Sequence, residues 1–234
     1  MGDQCFQLAN YKDLFLVLNL RHLFSHLDII DRFSSSQGRR DQGPNQELAA
    51  EIVEQKDLTL LGKVLEVIDL NPSERIVNDA VMTLMAISEQ DPNLLATSVP
   101  IWLDLLKSRS NRQVWGSMVI LSHLAPLKYS ELRQHLLLIL ESMDMGSVVG
   151  RDHGYSILCE FYRHDKDKEI WPLMTEQLLK SPPNQFGQYI EKTMEVLRKQ
   201  DREELIRILE IRLDELDHPN HRKRALKNLK QLRQ

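Results

Sequence analysis

Cysteine, glycine and aromatic residues are all scarce in this sequence. Of 234 residues, two are cysteine and nine are glycine, and aromatic residues make up 6%. Two thiols far apart in sequence, Cys5 and Cys159, cannot form the disulfide framework that holds small secreted domains together. The 42% of hydrophobic and 27% of charged residues exclude a collagen-like or disordered composition. The sequence therefore predicts a globular protein of a reducing compartment, and we expect it in the cytoplasm.

Long hydrophobic runs and familiar catalytic motifs are missing as well. The stretch LFLVLNL at residues 14–20 follows Lys12 and Asp13 and is far shorter than the roughly 20 apolar residues that cross a bilayer. There is no glycine-rich phosphate loop, no G-x-S-x-G, no H-E-x-x-H and no C-x-x-C. His22 and His26 have a metal-ligand spacing, but surface histidines of an amphipathic helix explain them better. We expect no membrane span, no cofactor, no metal and no catalytic residue.

A strong excess of positive charge is also absent. The formal net charge is −4. Nucleic-acid binding depends on neutralising phosphates with a basic surface. The composition therefore argues against a nucleic-acid partner.

What the sequence does contain is a repeated pattern. The motif RQVWGSMVILSHLA at residues 112–125 recurs near 75–88, 150–162, 186–198 and 221–233. Positions i, i+4 and i+7 of each copy lie on one face of a helix. Successive copies are spaced by 37, 37, 36 and 35 residues. The aligned columns are Ala80, Ser117, Gly154, Ile190 and Ala225; Leu84, Leu121, Leu158, Met194 and Leu229; and Ile87, Leu124, Phe161, Leu197 and Leu232.

A second apolar helix is predicted before each copy. These helices span 58–70, 94–108, 131–143, 170–181 and 203–216, and turn-forming residues separate them from the copies. Pro100 predicts a kink or break, and Asp201 with Glu204 resembles a capping box. The first column is small in four of its five positions, which favours close approach of a partner helix, and Ile190 departs from it.

This alternation resembles the HEAT and armadillo class of helical repeat proteins, and residues 110–125 are similar to small bacterial HEAT-like proteins. The resemblance covers residues 58–234. It implies an all-α, right-handed α-solenoid of about five helix-turn-helix repeats, near 58–92, 93–128, 129–168, 169–202 and 203–234. Because one helix pair cannot bury its own apolar face, neighbouring pairs are expected to stack into a continuous core.

The first 44 residues are less regular than the rest. Residues 4–18 and 20–33 are predicted helices, and the polar stretch 34–45 is a predicted flexible linker. A short helix at 45–55, capped by Asn45, begins the repeat domain, which we place at 45–234. The N-terminal segment 1–44 is predicted to form an irregular helical cap over the open end of the solenoid.

The resemblance also implies where a ligand binds. In this class the second helix of each repeat usually lines a concave face. The predicted exposed columns there hold mixed polar and aromatic side chains, which favours a non-enzymatic scaffold for a protein or peptide. Trp115 and Tyr189 are the predicted apolar anchors, and the charged residues set the register. The candidate binding residues are Asn78, Asp79, Trp115, His153, Gln188, Tyr189 and Arg222.

Several alternatives stay open. The face is equally consistent with an ordinary solvated surface on which Trp115 packs against the next repeat. One family of bacterial DNA glycosylases has a HEAT-like solenoid, and Trp115, Asp152 and Arg222 match its residue types, although the acidic net charge argues against it. Self-association through exchange of residues 1–33 is a third possibility. The basic helix at 221–233 is better explained as a solvated end helix than as an anion-binding patch.

Overall fold

The computed structural model describes residues 27–70, 72–164 and 169–234. Across these ranges the regular structure is entirely helical, with no β-strand. No helix in the same ranges has the length and apolarity needed to cross a membrane. The chain divides into two compact units, Met1–Leu94 and Leu95–Gln234.

Twelve α-helices occupy the described residues. The first unit contains α1 (Leu27–Ile30), α2 (Gly43–Gln55), α3 (Leu58–Leu70) and α4 (Glu74–Gln90). The second contains α5 (Val99–Leu105), α6 (Asn111–Arg133), α7 (Leu136–Met145), α8 (Val148–His164), α9 (Ile170–Lys180), α10 (Pro183–Val196), α11 (Arg202–Leu213) and α12 (Pro219–Leu232). Short 3-10 helices span Pro92–Leu95 and Lys199–Asp201. The predicted helix at 4–18 lies outside the described residues.

In the first unit, the stretch predicted as a flexible linker is folded against α2 and α4. The Asp79 carboxylate accepts from the backbone N–H of Ser35 and from Asn45 Nδ2, both at 3.0 Å. Asn45 Oδ1 in turn accepts from the backbone N–H of Ser34 at 3.0 Å. Asn45 is therefore a buried link between segments instead of a helix cap, and α2 begins two residues before it. Predicting flexibility from polar composition was wrong here, because the polar groups bond to one another.

In the second unit, alternate helices pack on each other in chain order. Helices α6, α8, α10 and α12 form one series of neighbours, and α5, α7, α9 and α11 each pack against the helix that follows. Side chains of the predicted columns fill the space between them. Leu121, Leu158 and Phe161 have no exposed surface. The unit thus consists of four consecutive helix pairs with a shared core.

The residues of the predicted core columns are buried in every copy except the fourth. There Met194 and Leu197 are half-buried, whereas Thr193 is completely buried. Helix α10 ends at Val196, so Leu197 lies beyond it in extended backbone. The inward face of α10 is consequently shifted by about one position relative to the aligned column.

The small-residue column makes room for the paired helix. A Cβ added at Gly154 would lie 2.2 Å from Cγ of Met143 on α7, closer than atoms can pack. Ser117 in the preceding copy is completely buried. Glycine at position 154 thus lets α7 and α8 approach each other closely.

Proline residues break or bend helices in two places. Helix α5 begins at Val99, with Pro100 in its first turn, so the predicted helix at 94–108 is interrupted at residues 96–98. Helix α6 extends past Pro126 to Arg133, with a kink marked by the non-helical dihedral angles of Lys128. Proline has no N–H for the helical hydrogen bond, which accounts for the bend.

The predicted capping box of α11 does not form. Asp201 precedes α11 but makes no side-chain cap; its carboxylate accepts from the Tyr162 hydroxyl. Glu204 accepts from Trp171 Nε1 at 2.8 Å. Both carboxylates bond to residues of neighbouring helices, and a local sequence pattern cannot predict such bonds.

Candidate functional site

The seven candidate binding residues differ widely in burial. Asn78, Trp115, His153 and Gln188 are half-buried, and Arg222 is exposed. Asp79 and Tyr189 are only 5% and 2% exposed. The expectation that these last two lie on an open surface was wrong. Asp79 holds the 34–45 segment, and Tyr189 belongs to the contact between α8 and α10.

Trp115 lies where α6 meets α8. A Cβ added at Gly150 of α8 would be 3.8 Å from the Trp115 Cβ and 3.9 Å from its Cα, which is ordinary contact distance. Gly150 therefore lies beside Trp115, and a methyl group at position 150 would fit there in ordinary contact. This contact agrees with the interpretation in which Trp115 packs on the neighbouring helix pair.

Tyr189 forms an aromatic stack with Tyr155. The ring centroids are 4.2 Å apart and the planes differ by 4°. The Tyr155 hydroxyl shares a hydrogen bond with Thr193 Oγ1 at 2.6 Å, and Gln185 Nε2 donates to the Tyr189 hydroxyl at 3.2 Å. Burial raises the pKa of Tyr189 well above its ordinary value, with Asp152 contributing in the same direction. Both phenols are therefore neutral packing groups that also satisfy their polar atoms.

His153 forms a polar contact between α6 and α8. Its Nδ1 lies 2.7 Å from Ser122 Oγ, and its ring meets that of His123 edge-on at 5.9 Å. Burial lowers the pKa of His153 to about 4, with Lys192 and His123 adding to the effect. The imidazole is accordingly neutral at physiological pH.

A residue that sequence reasoning missed, Lys192, sits at the centre of these contacts. Its Nζ donates to the backbone oxygen of Asp152 at 2.8 Å and to Ser156 Oγ at 2.6 Å. Burial lowers the pKa of this amine, and Asp152 is the main opposing influence. Val119 and Ser156 occupy the equivalent column in the two preceding copies. Lys227 occupies it in the following copy, so the sequence pattern did not mark Lys192 as different from its equivalents.

Lys192 lines an open cleft of about 310 Å³ between α6, α8 and α10. Glu160 pairs with Arg163 at 3.2 Å and with His164 at 3.1 Å, and Glu195 is exposed at the rim. The cleft walls are Ser122, Pro126, Ser156, Cys159, Glu160, Arg163, Lys192, Glu195 and Val196. With two carboxylates, one guanidinium and one amine of lowered pKa, the charge of the cleft lies between zero and −1.

Cys159 contributes an unreactive thiol to this cleft. It is 6% exposed, and burial raises its pKa to about 12. The nucleophilic form of cysteine is the thiolate, so this thiol is inert near neutral pH.

Among the described residues, no group of three or more histidine, cysteine, aspartate or glutamate side chains could hold a metal ion. His22 and His26 fall outside those residues.

Each of the three residues named in the glycosylase alternative makes a contact or a hydrogen bond with another residue of the protein. Trp115 contacts Gly150, Asp152 accepts from Gln185 Nε2, and Arg222 donates to the backbone oxygen of Leu213 at 2.7 Å. Their roles in that alternative stay a prediction.

Compared with models of known protein families and with curated proteins, the chain matches none.

Proposed function

We propose that the protein is a non-enzymatic scaffold that binds a peptide or protein segment along α6, α8 and α10. The proposal extends the helix pairs of the second unit to a right-handed α-solenoid of about five HEAT-like repeats, with residues 1–44 as its irregular cap. The packing of alternate helices in chain order supports this arrangement. Solenoids expose elongated faces that suit extended ligands.

The observation that carries the binding proposal is the open cleft around Lys192. Its volume of about 310 Å³ suits one ligand side chain, with the rest of the ligand outside. A cleft without net positive charge disfavours a phosphate backbone. Its exposed carboxylate, Glu195, favours a basic side chain. Glu195, exposed at the rim, supplies the carboxylate that such a side chain would pair with.

The proposed partner is therefore a polypeptide segment with a lysine or arginine that enters the cleft. Trp115 and Gln188, half-buried on the same series of helices, stay candidate contacts for the remainder of the segment. Tyr189 is not among them, since it is buried. Asn78 and Asp79 belong to the other unit and are not part of this proposed site.

Selection of a random 12-residue peptide library on the purified protein tests the proposal. We expect enrichment of peptides containing lysine or arginine, with affinities measurable by fluorescence anisotropy. Glu195→Lys reverses the charge at the rim and should weaken binding at least about tenfold. The matched control is Glu203→Lys, an exposed glutamate on α11 that does not line the cleft, and it should leave binding unchanged.

Two results would count against the proposal. One is a library from which no peptide is enriched above background. The other is a set of enriched peptides that bind the wild type, the Glu195→Lys variant and the Glu203→Lys variant equally.

A further inference from the structure

A second open groove lies in the second unit, and it has a volume of about 420 Å³. One side is formed by the loop between α5 and α6 together with the first turn of α6, and the other side by α7. Leu138, Glu141 and Met145 are three and four residues apart on α7, so they share the helix face that borders the groove. This groove and the cleft around Lys192 share none of the described residues.

The groove combines an apolar lining with an exposed methionine at its edge. Leu106 is buried, and Val114 and Leu138 are half-buried. Met145 is the last residue of α7 and is 91% exposed. Methionine adapts its shape to a partner and is enriched at protein interfaces. An exposed apolar side chain beside an apolar groove therefore favours a protein partner at this surface.

Charges of opposite sign border the apolar lining, one on each side of the groove. Arg109 lies in the loop between α5 and α6, and Glu141 lies on α7; both are exposed. In the part of the chain that the structure describes, neither residue has an ion-pair partner, whereas Lys107 pairs with Asp104 at 3.2 Å. The groove thus offers one cation and one anion to a partner.

We propose that this groove binds the same groove of a second copy of the chain. In a two-fold contact every residue pair occurs twice, so a surface that pairs with itself has to carry both a group and its complement. This surface carries a groove and an exposed methionine, and it also carries a cation and an anion. In the proposed dimer, Met145 of each copy packs against Val114 and Leu138 of the other. Arg109 of each copy pairs with Glu141 of the other.

A second copy complements this surface better than a ligand with charge of one sign. A purely acidic segment would meet a like charge at Glu141, and a purely basic one would meet a like charge at Arg109. A two-fold contact uses the groove of both copies and leaves none for a third, so the assembly ends at a dimer. Because the contact is confined to one groove on each copy, we expect a Kd of about 1–100 μM. This inference does not depend on the proposed peptide binding.

Sedimentation equilibrium of the intact chain over about 1–500 μM tests the proposal. The average mass should rise with concentration from that of the monomer to that of the dimer and no further. Met145→Glu places a charge in the apolar contact and should raise the Kd at least about tenfold. The matched control is Leu226→Glu at an exposed leucine of α12 outside the groove, which should leave the Kd unchanged. Circular dichroism of both variants verifies that they are folded.

Charge reversal tests the two-fold arrangement itself. Arg109→Glu or Glu141→Arg alone sets like charges against each other at two places and should raise the Kd at least about threefold. The double variant restores both pairs, and its Kd should return to within about twofold of the wild type.

Three results would overturn the proposal. The first is a chain that stays monomeric over the whole concentration range. The second is a Kd that Met145→Glu and Leu226→Glu change equally. The third is a double charge reversal that associates no better than the single variants.

Discussion

At the scale of single residues, Asp79 shows how a polar side chain organises the first unit. Its two carboxylate oxygens accept from the Ser35 N–H and from Asn45 Nδ2, 44 and 34 residues away in sequence. Hydrogen bonds from neutral donors satisfy the carboxylate where it is shielded from water. The residue that sequence patterning placed on a binding face thus links α4 to the preceding segment.

Asp79→Ala should destabilise the protein. The substitution removes the acceptor of two N–H donors in a buried setting, and we expect the free energy of unfolding to fall by about 2–3 kcal/mol. Urea denaturation followed by circular dichroism measures the change. The control is Asp69→Ala at an exposed position of α3, which should change stability by less than about 0.5 kcal/mol. Equal effects of the two variants would refute this role of Asp79.

His153 should make stability depend on pH. Its pKa is about 4 in the folded chain, against an ordinary value of 6.5. Between these values the unfolded chain binds a proton that the folded chain does not, so stability is lost as the pH falls from 6.5 to 4. Because the ring is partly exposed, we expect a loss of about 1–2 kcal/mol, less than the full shift implies.

Comparison of the wild type with His153→Gln at pH 7.5 and pH 4 isolates this contribution. The stability advantage of the wild type should shrink by about 1–2 kcal/mol at the lower pH. A difference that is the same at both pH values would contradict the assignment. As a second check, Lys192→Met removes a nearby positive charge and should raise the pKa of His153 in an NMR titration.

At the scale of helices, two glycines should respond in opposite ways to the same substitution. Gly154 of α8 is packed against Met143, whereas a Cβ added at Gly62 of α3 meets no atom within 4 Å. Gly154→Ala should lower the unfolding free energy by about 1–3 kcal/mol through overpacking. Gly62→Ala should raise it by about 0.5–1 kcal/mol, because alanine favours the helix. Thermal unfolding of both variants measures this, and a loss of stability in both would count against the described packing.

The predicted helices at 58–70, 170–181 and 203–216 agree with α3, α9 and α11 within three residues at each end, whereas α5 and α7 begin five residues later than the predicted starts at 94 and 131. The bonds between helices did not follow from local pattern. The 3.6-residue period depends only on neighbouring residues, so α3 spans the predicted 58–70. The capping box at Asp201 and Glu204 failed because Tyr162 and Trp171, more than 30 residues away, bond to the two carboxylates. The inward face of α10 also shifted from its aligned column, because the stack of Tyr155 on Tyr189 and the hydrogen bond between Tyr155 and Thr193 determine how the helix is rotated.

At the scale of the whole molecule, the residues beside the cleft come from three helices that are distant in sequence. Ser122, Ser156 and Lys192 lie on α6, α8 and α10 and form part of one wall. Each is ordinary by itself, and periodicity marks none of them as special. Their proximity follows from the packing of alternate helices. Ser156 and Lys192 occupy the same position of successive copies, and Ser122 lies three residues beyond that position in the copy before them. A repeating sequence can therefore build a site without a recognisable motif.

The sequence by itself determined the all-helical structure, the approximate helix bounds and most of the buried columns, because helix propensity and amphipathic period are local properties. Only the tertiary structure decided which polar residues are buried. Asp79, Tyr189 and Lys192 acquire their environment from partners on other helices, and burial there has to be matched by hydrogen bonds. Helical period predicts which side of a helix faces inward, but it does not identify the atom that a polar side chain meets there.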